Sequence, residues 1–298
     1  MMRSFFVVLG LICAAGQVEA QARPIKVFIS ADMEGVVGVV TGDQLGPTGF
    51  EYGRFREFMT REVLAAIRGA RAGGAGEIVV ADAHGNGENL LIELLPSDVT
   101  VVRSWPRPLG MMQGIDSSFA AAIFIGYHAS TANPRGVRAH TMSSATLADV
   151  RLNGTSVPEG GLNAAIAGYY GVPVVMVSGD DAAVEEVRAA VGPIEGAVVK
   201  WHAGFHSART ITPDSSYRLI EATAARAVRR ARELRPLVLT GRVTLDVRFK
   251  NYRPAEVLSY LPVVERTDAH SVRFVGRDIV EVSRFLQFMT NYAPNLEP

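Results

Sequence analysis

The stretch IKVFISADMEGVVGVV (residues 25–40) begins with an apolar run and then places Asp32 and Glu34 just before a glycine. Residues two apart on a strand point to the same face, so the two carboxylates converge if the strand continues through them. Two carboxylates at short range repel each other unless a cation lies between them. The alternative is a solvated turn in which Asp32 caps a helix, and the local sequence leaves both interpretations open.

Further apolar runs follow along the chain, and each ends in polar or glycine-rich residues. Between the first two runs, FREFMTREVLAAIRGARAGGAG (55–76) has apolar residues at helical spacing and a glycine pair that suits a helix end. GLNAAIAGYYG (161–171) predicts another helix. This alternation predicts an α/β fold with a mostly parallel, helix-covered sheet. The runs read as strands are EIVVAD (77–82), TVVRSW (100–105), AAIFIGY (121–127) and VPVVMVSGD (172–180).

The pattern changes after about residue 195. SSYRLIEATAARAVRRARELRP (215–236) predicts a long amphipathic helix, and alternating strand-like sequence follows in VTLDVRFKN (243–251) and SVRFVGRD (271–278). We therefore expect a smaller C-terminal α+β subdomain, residues 199–298. It would follow a larger α/β region, residues 23–198, that carries the metal site and the catalytic groups.

The first twenty residues, MMRSFFVVLGLICAAGQVEA, have the pattern of a secretory signal peptide. Arg3 precedes an apolar run, and small residues precede a cut after Ala20 or Ala22. A retained membrane anchor is the alternative, but no later segment approaches the roughly 20 apolar residues of a membrane span. We expect an exported, soluble mature chain, either periplasmic or secreted.

Composition excludes several classes of protein. The single cysteine, Cys13, lies in this leader, so the mature chain has no disulfide, thiolate metal ligand or cysteine nucleophile. Thirty basic residues balance thirty acidic ones, which argues against a nucleic-acid partner held by bulk electrostatics.

Potential metal ligands follow two more of the predicted strands. Asp82 and His84 end the second run, and His128 ends the AAIFIGY run. Because the carboxyl ends of parallel strands share one edge of a sheet, these residues should meet Asp32 and Glu34 there. Carboxylate and imidazole ligands without thiolate favour zinc, with manganese or cobalt as alternatives, and bridging carboxylates suggest two ions.

Four other residues have more than one interpretation. Glu159 stands just before a predicted helix. It could be a metal ligand, or it could be a carboxylate that the helix dipole stabilises. His140 could be a ligand, an acid/base group or a surface residue. His202 and His206 have the i, i+4 spacing of a metal clamp on a helix, but Gly204 between them favours a surface or oligomer-contact role.

Several segments occur together in an order that resembles the DppA-like D-stereospecific aminopeptidases, formerly called dipeptide transport proteins. The resemblance runs from about Lys26 to near the C-terminus. It implies two zinc ions bridged by Asp32, an aminopeptidase specific for D-residues, and a ring-like homo-oligomer, with a decamer as one option. The matching segments are ADMEG, DAHG, GYH, AHTM, EGGLNAAIAGYYGVPVVMVSGDD and FKNYRPAE.

The resemblance also implies roles for single residues. The remaining ligands would be Glu34, His84, His128 and Glu159, and His140 would be a catalytic group near the metals. This chain departs from the family pattern around the ligand glutamate, with Pro158 before it and Gly160 where a leucine is usual, and its spacing between His128 and His140 is one residue longer. These departures bear on substrate preference.

The sequence and the resemblance together predict an exported metal-dependent aminopeptidase in which a metal-activated water attacks the amide of a short peptide. The preference for an N-terminal D-residue is implied by the resemblance alone. Asp82, Asp180 and Asp181 are candidates for holding the substrate's ammonium group. The alternatives are a dinuclear metal amidase or esterase for another small acyl substrate, and a non-catalytic exported protein that binds peptides or metal.

Overall fold

The computed structural model describes residues 25–292. The predicted signal peptide and both predicted cleavage positions lie outside this range. Residues 25–292 include no helix with the length and apolar character that a membrane crossing requires.

The described residues form two sheets and six α-helices. The helices are α1 (Tyr52–Ala72), α2 (Glu159–Tyr169), α3 (Asp181–Val191), α4 (Pro213–Arg229), α5 (Tyr252–Leu258) and α6 (Ile279–Asn291). The strands are β1 (Ile25–Ala31), β2 (Ala75–Asp82), β3 (Thr100–Val102), β4 (Ala121–Tyr127), β5 (Leu147–Leu152), β6 (Thr155–Ser156), β7 (Val174–Asp180), β8 (Glu195–Gly204), β9 (Ser207–Thr210), β10 (Val243–Phe249), β11 (Val264–Arg266) and β12 (Ser271–Gly276).

The larger sheet has the strand order β3-β2-β1-β4-β7-β8-β9. Every pair in it is parallel except β8 with β9, which confirms the predicted α/β fold. The central strand β1 pairs with β2 on one side and with β4 on the other. Ala31 lies opposite Asp82 and Ile125, so the carboxyl ends of these three strands stand side by side.

Alternate residues of β1 feed two separate cores. Phe28 packs in the core that includes α2 and the second sheet, whereas Val27 and Ile29 pack in the core formed with α1 and α4. Both faces of the sheet are therefore covered, as expected for a parallel sheet whose strands are apolar throughout. In α1 the buried side chains recur at helical spacing, for example Phe55, Met59 and Val63.

The second sheet is antiparallel, with the strand order β11-β12-β10-β5-β6. Its C-terminal strands and α6 form an α+β unit, but β5 and β6 come from residues 147–156, in the middle of the chain. The predicted division between residues 198 and 199 falls inside β8, and β9 continues the larger sheet beyond it. The two sheets therefore do not follow the predicted division, because β10 pairs with β5 across almost a hundred residues of sequence.

Candidate metal centre

The six residues predicted for the site lie together at the carboxyl edge of β1, β2 and β4. Asp32 follows β1 directly, His84 follows β2 by two residues, and His128 is the first residue after β4. Glu159 is the first residue of α2, while Glu34 and His140 lie in loops. Five separate parts of the chain therefore contribute to the site, because the parallel strands end at the same edge of the sheet.

The backbone after β1 is held tightly against the end of β4. The amides of Asp32 and Gly35 donate to the carbonyls of Ile125 and Gly126 at 2.8 and 2.7 Å. A Cβ at Gly35 would stand 2.0 Å from the carbonyl oxygen of Tyr127. Only glycine permits this close approach, which explains the glycine that follows the two carboxylates.

The carboxylate of Asp32 lies between two histidines. Its Oδ1 is 3.2 Å from Nδ1 of His84, and its Oδ2 is 3.3 Å from Nε2 of His128. Glu34 lies on the His84 side, with Oε2 2.9 Å from Nδ1. Glu159 lies on the His128 side, with Oε1 3.4 Å from Nε2. The arrangement offers two neighbouring positions for a cation that share one carboxylate.

His140 completes the cluster from the opposite loop. Its Nε2 is 3.8 Å from Oε1 of Glu159 and 4.0 Å from Oε1 of Glu34. Its ring stacks on the ring of His128, with centroids 4.0 Å apart and planes at 12°. The geometry thus brings His140 within reach of the same carboxylates as the predicted ligands.

Each of the three histidines donates one ring N–H to a backbone carbonyl. Nε2 of His84 bonds to Leu45, Nδ1 of His128 to Ala129, and Nδ1 of His140 to the carbonyl of residue 138, at 2.7, 3.0 and 2.8 Å. A carbonyl can only accept, so these nitrogens carry hydrogen and the other nitrogen of each ring faces the carboxylates. A neutral ring would then direct a lone pair at negative oxygens, which is favourable only if a cation lies between them.

Two atoms at the centre of the cluster have no hydrogen-bond partner. Oδ2 of Asp32 and Nε2 of His128 are both buried, and although 3.3 Å apart they are not oriented for a hydrogen bond. Burying such atoms unpaired is costly. A metal ion that accepts both lone pairs removes this cost, so these residues fit a metal with oxygen and nitrogen ligands.

Burial and charge shift the pKa values of this cluster in opposite directions. Burial, the largest single effect, would lower the pKa of His84, but the charges and hydrogen bonds of Glu34 and Asp32 together raise this pKa well above its usual value. For His128, the charges and hydrogen bonds of Glu159 and Asp32 together overcome burial and raise its pKa well above the usual value. Burial would raise the pKa of Glu34, but the charges of three histidines and the hydrogen bond from His84 together lower it well below its usual value. The site therefore strongly attracts positive charge, whether protons or a metal ion.

Two overlapping sets of side chains have the spacing of a metal site. In each set the ligand atoms lie within 4.8 Å of one another, and His128 belongs to both. Nitrogen and oxygen ligands without sulfur suit zinc, manganese or cobalt. The sets are Asp32, Glu34 and His128, and His128, His140 and Glu159.

A cavity of 590 Å³ opens onto the cluster. Glu34, His84 and His140 line it, together with the C-terminal end of α6. Its lining also includes the apolar Met142 and Phe249 and the mostly hydroxyl-bearing residues 143–146. A short peptide could therefore reach the cluster from solvent.

Two of the departures from the family pattern, Pro158 and Gly160, lie at the start of α2. Pro158 is the N-cap residue of this helix, in extended conformation. A Cβ at Gly160 would come 2.4 Å from a methyl of Val187 in α3. The close packing of α2 on α3 excludes a larger residue at position 160, and it leaves Glu159 directed at the cluster.

The predicted ammonium-binding aspartates have other roles. Asp82 accepts the amides of Asn89 and Leu90 at 2.6 and 2.7 Å, and so shapes the loop after His84. Asp180 accepts the amide of Ala183 and caps α3, and Asp181 accepts the amide of residue 202. None of the three lines the cavity. Each of the three carboxylates therefore accepts at least one backbone N–H group.

His202 and His206 do not form a helical clamp. His202 lies in β8 and His206 in the turn before β9. Nδ1 of His206 lies 3.4 Å from a guanidinium nitrogen of Arg138, in an exposed contact. The strand geometry points the two rings away from the i, i+4 arrangement that a helix would provide.

The sequence pattern did not reveal two buried charged residues beneath the loop of Glu34, namely Glu62 and Lys200. Lys200 is the one charged residue in the apolar run VVKW (198–201), and a lone charge inside a buried strand is the signal that points to it. Glu62 lies in the regular pattern of α1, where nothing in the sequence distinguishes it from a surface glutamate.

Comparison with known proteins agrees with this geometry. The sequence model of the peptidase M55 family, described as D-aminopeptidase, matches residues 25–288. The chain belongs to this family. The prediction of a DppA-like family and of a D-aminopeptidase is confirmed.

Two relatives cover nearly the whole described chain. A D-aminopeptidase of Bacillus subtilis (strain 168) is 33% identical over 272 residues, which is 90% of this chain and 97% of the relative. The solved structure of Zn-dependent D-aminopeptidase DppA from Bacillus subtilis, described as a self-compartmentalizing protease, superposes with a TM-score of 0.86 at 32% identity. That comparison covers 89% of this chain and 97% of the other.

Proposed function

We propose that this chain is an exported aminopeptidase that uses two zinc ions to hydrolyse short peptides with an N-terminal D-residue. One observation carries the metal site: three histidines, each fixed by a backbone carbonyl, turn their free nitrogens towards three buried carboxylates. Zinc is the metal of the structural relative from Bacillus subtilis, and it suits the oxygen and nitrogen ligands present here.

The ligands divide into two groups around Asp32. Glu34 and His84 would hold one ion, and His128 and Glu159 the other, with one oxygen of Asp32 directed to each side. When bound, the ions supply a Lewis acid for the scissile carbonyl and lower the pKa of a water molecule. The protein supplies the fixed positions of the ligands, since each histidine is already oriented by a backbone hydrogen bond.

His140 would act on the substrate from the edge of the cavity. It is the most exposed of the three histidines in the cluster, and it lines the cavity whereas His128 does not. Its Nδ1–H is held by a carbonyl, so Nε2 is the atom available to the substrate. There it would hold or deliver a proton for the leaving amine.

The cavity has no fixed side-chain cation for the carboxyl end of a peptide. Among the described residues that line it there is no lysine or arginine, and its three carboxylates are the proposed metal ligands Asp32, Glu34 and Glu159. The absence of a basic side chain among these lining residues supports an aminopeptidase over a carboxypeptidase that holds the terminal carboxylate with lysine or arginine.

D-specificity, export and assembly rest on other grounds. The preference for D-residues is inferred from family membership, and export from the leader of residues 1–20. A homo-oligomer with enclosed active sites is inferred from the relative described as self-compartmentalizing. Cell fractionation with N-terminal sequencing would test export, and light scattering of the purified chain would test the oligomer.

The enzyme itself is tested with protein that begins after the predicted leader. We expect zinc-dependent release of D-alanine from D-alanyl dipeptides and amides, much slower release from the L-isomers, and loss of activity with a chelator. Asp32→Ala should remove both ions rather than activity alone, while His206→Ala, at an exposed residue outside the proposed ligand set, should change neither. Zinc-replete protein without peptide or amide hydrolysis would contradict the proposal and support a binding protein. Hydrolysis of esters alone would support the esterase alternative.

A further inference from the structure

The backbone that carries Glu34 has no regular secondary structure, yet it is held from several sides. We call residues 34–39 the Glu34 turn. The amide of Gly35 donates to β4, the amide of Val37 donates to Oε1 of Glu62 at 3.1 Å, and the amide of Gly38 donates to the hydroxyl of Thr210 at 3.1 Å. Glu62 belongs to α1 and Thr210 to β9, so the turn is bound by three separate elements.

The carbonyl oxygens of the same turn converge on one side chain. Nζ of Lys200 donates to the carbonyls of Glu34, Val36 and Val39, the last two at 3.2 and 2.7 Å. An ammonium group has three hydrogens, and three acceptors use all of them. Lys200 is completely buried in β8, 166 positions from Glu34 along the chain.

A buried ammonium group is retained only where it is well paired. Its desolvation is costly, and an apolar residue of the same length would avoid that cost. Within residues 25–292, no carboxylate lies within salt-bridge distance of Nζ of Lys200, and none of the ion pairs includes this residue. The acceptors of Lys200 are therefore the backbone carbonyls of the Glu34 turn. This indicates that Lys200 stabilises the conformation of that turn.

We propose that Lys200 is a positioning residue that holds the Glu34 turn, so that the carboxylate of Glu34 is directed at the metal site. The hydrogen bond to the carbonyl of Glu34 fixes the main chain next to the ligand side chain. The bonds to Val36 and Val39 fix the following loop and prevent the turn from swinging away from the cluster. The inference rests on the zinc site proposed above.

The test compares lysine variants by zinc affinity, measured by competition with a chromophoric chelator, and by the absorption spectrum of the cobalt(II)-loaded protein. Lys200→Met removes all three donors, and we expect zinc affinity to fall about 10- to 100-fold, as for other residues that orient metal ligands. The cobalt spectrum should shift because Glu34 is displaced. Lys26→Met is the matched control, since Lys26 lies in β1 but pairs with Glu77 at the surface. It should keep native affinity.

Lys200→Arg separates positioning from charge and covers the case in which Lys200→Met does not fold. Arginine keeps the charge, but its planar guanidinium cannot direct three donors from one atom to three converging carbonyls. We expect weaker zinc binding and a shifted cobalt spectrum here too. Native affinity and spectrum in folded Lys200→Met, or in Lys200→Arg, would overturn the inference. Absence of zinc from the unmodified protein would instead overturn the proposed function.

Discussion

Zinc binding to the metal-free protein at pH 7 should release about two protons. Without metal, the pKa values of His84 and His128 lie well above the usual value, because the charges and hydrogen bonds of the neighbouring carboxylates together outweigh the effect of burial. Both rings are therefore protonated at neutral pH. Zinc accepts only the neutral imidazole, so each ring must lose one proton when the metal binds.

The upward direction of the two histidine pKa shifts determines how proton release depends on pH. For both histidines the metal-free pKa is raised, so proton release stays near its full value at neutral pH and falls only as the pH rises through the raised pKa. The pKa of Asp32 is also raised, by burial and by the charge of Glu34, which can add a fraction of a proton at lower pH. The protons released by the two histidines should therefore decrease in number from pH 6 to pH 9, while ionisation of a metal-bound water would add to the release as the pH rises.

Titration calorimetry in two buffers of different ionisation enthalpy measures the number of protons directly. His128→Gln should release about one proton fewer, because one raised pKa is removed. His206→Ala should behave as the unmodified protein. Release close to zero at pH 7 would refute the reasoning, since the rings would then face the carboxylates as neutral groups and the unpaired atoms of the cluster would need another explanation.

Three further outcomes follow from single residues. Gly35→Ala places a Cβ 2.0 Å from the carbonyl oxygen of Tyr127, so we expect a loss of about 1–3 kcal/mol in unfolding free energy and reduced zinc content; an unchanged Tm would contradict this. Burial raises the pKa of Glu62 to about 7, so the folded state binds more protons than the unfolded state up to that pH, and stability falls as the pH rises. In urea unfolding, the unfolding free energy of the unmodified protein should fall by about 1 kcal/mol relative to that of Glu62→Gln between pH 6 and pH 8. If the difference in unfolding free energy between the two proteins stayed constant, Glu62 would not titrate in this range. His206→Ala should leave zinc stoichiometry unchanged, as measured by elemental analysis, because the ring contacts Phe205 and Arg138 at the surface and none of the carboxylates of the cluster.

Much of the fold could be predicted from local sequence. Apolar runs such as IKVFIS, alternating with helical spacing in residues 55–76, specify buried strands and covering helices, and a parallel sheet follows from that alternation. Four of the predicted site residues, Asp32, Glu34, His84 and His128, followed from the same logic, because the ends of parallel strands share one edge. The roles of Glu159 and His140 were implied by the family resemblance. The division into subdomains did not, since the pairing of β10 with β5 joins strands almost a hundred residues apart and leaves no local signal.

The sequence by itself determined which residue types stand at the strand ends, and the tertiary structure decided which of them face one another. Asp32 and Asp82 both end a buried strand, but loop contacts turn Asp82 towards backbone amides and leave Asp32 between two histidines. Lys200 reaches the Glu34 turn only because β8 lies in the same folded sheet. The physical reason is that periodicity records burial, a local property, whereas hydrogen bonds and charge pairs depend on three-dimensional proximity between distant residues.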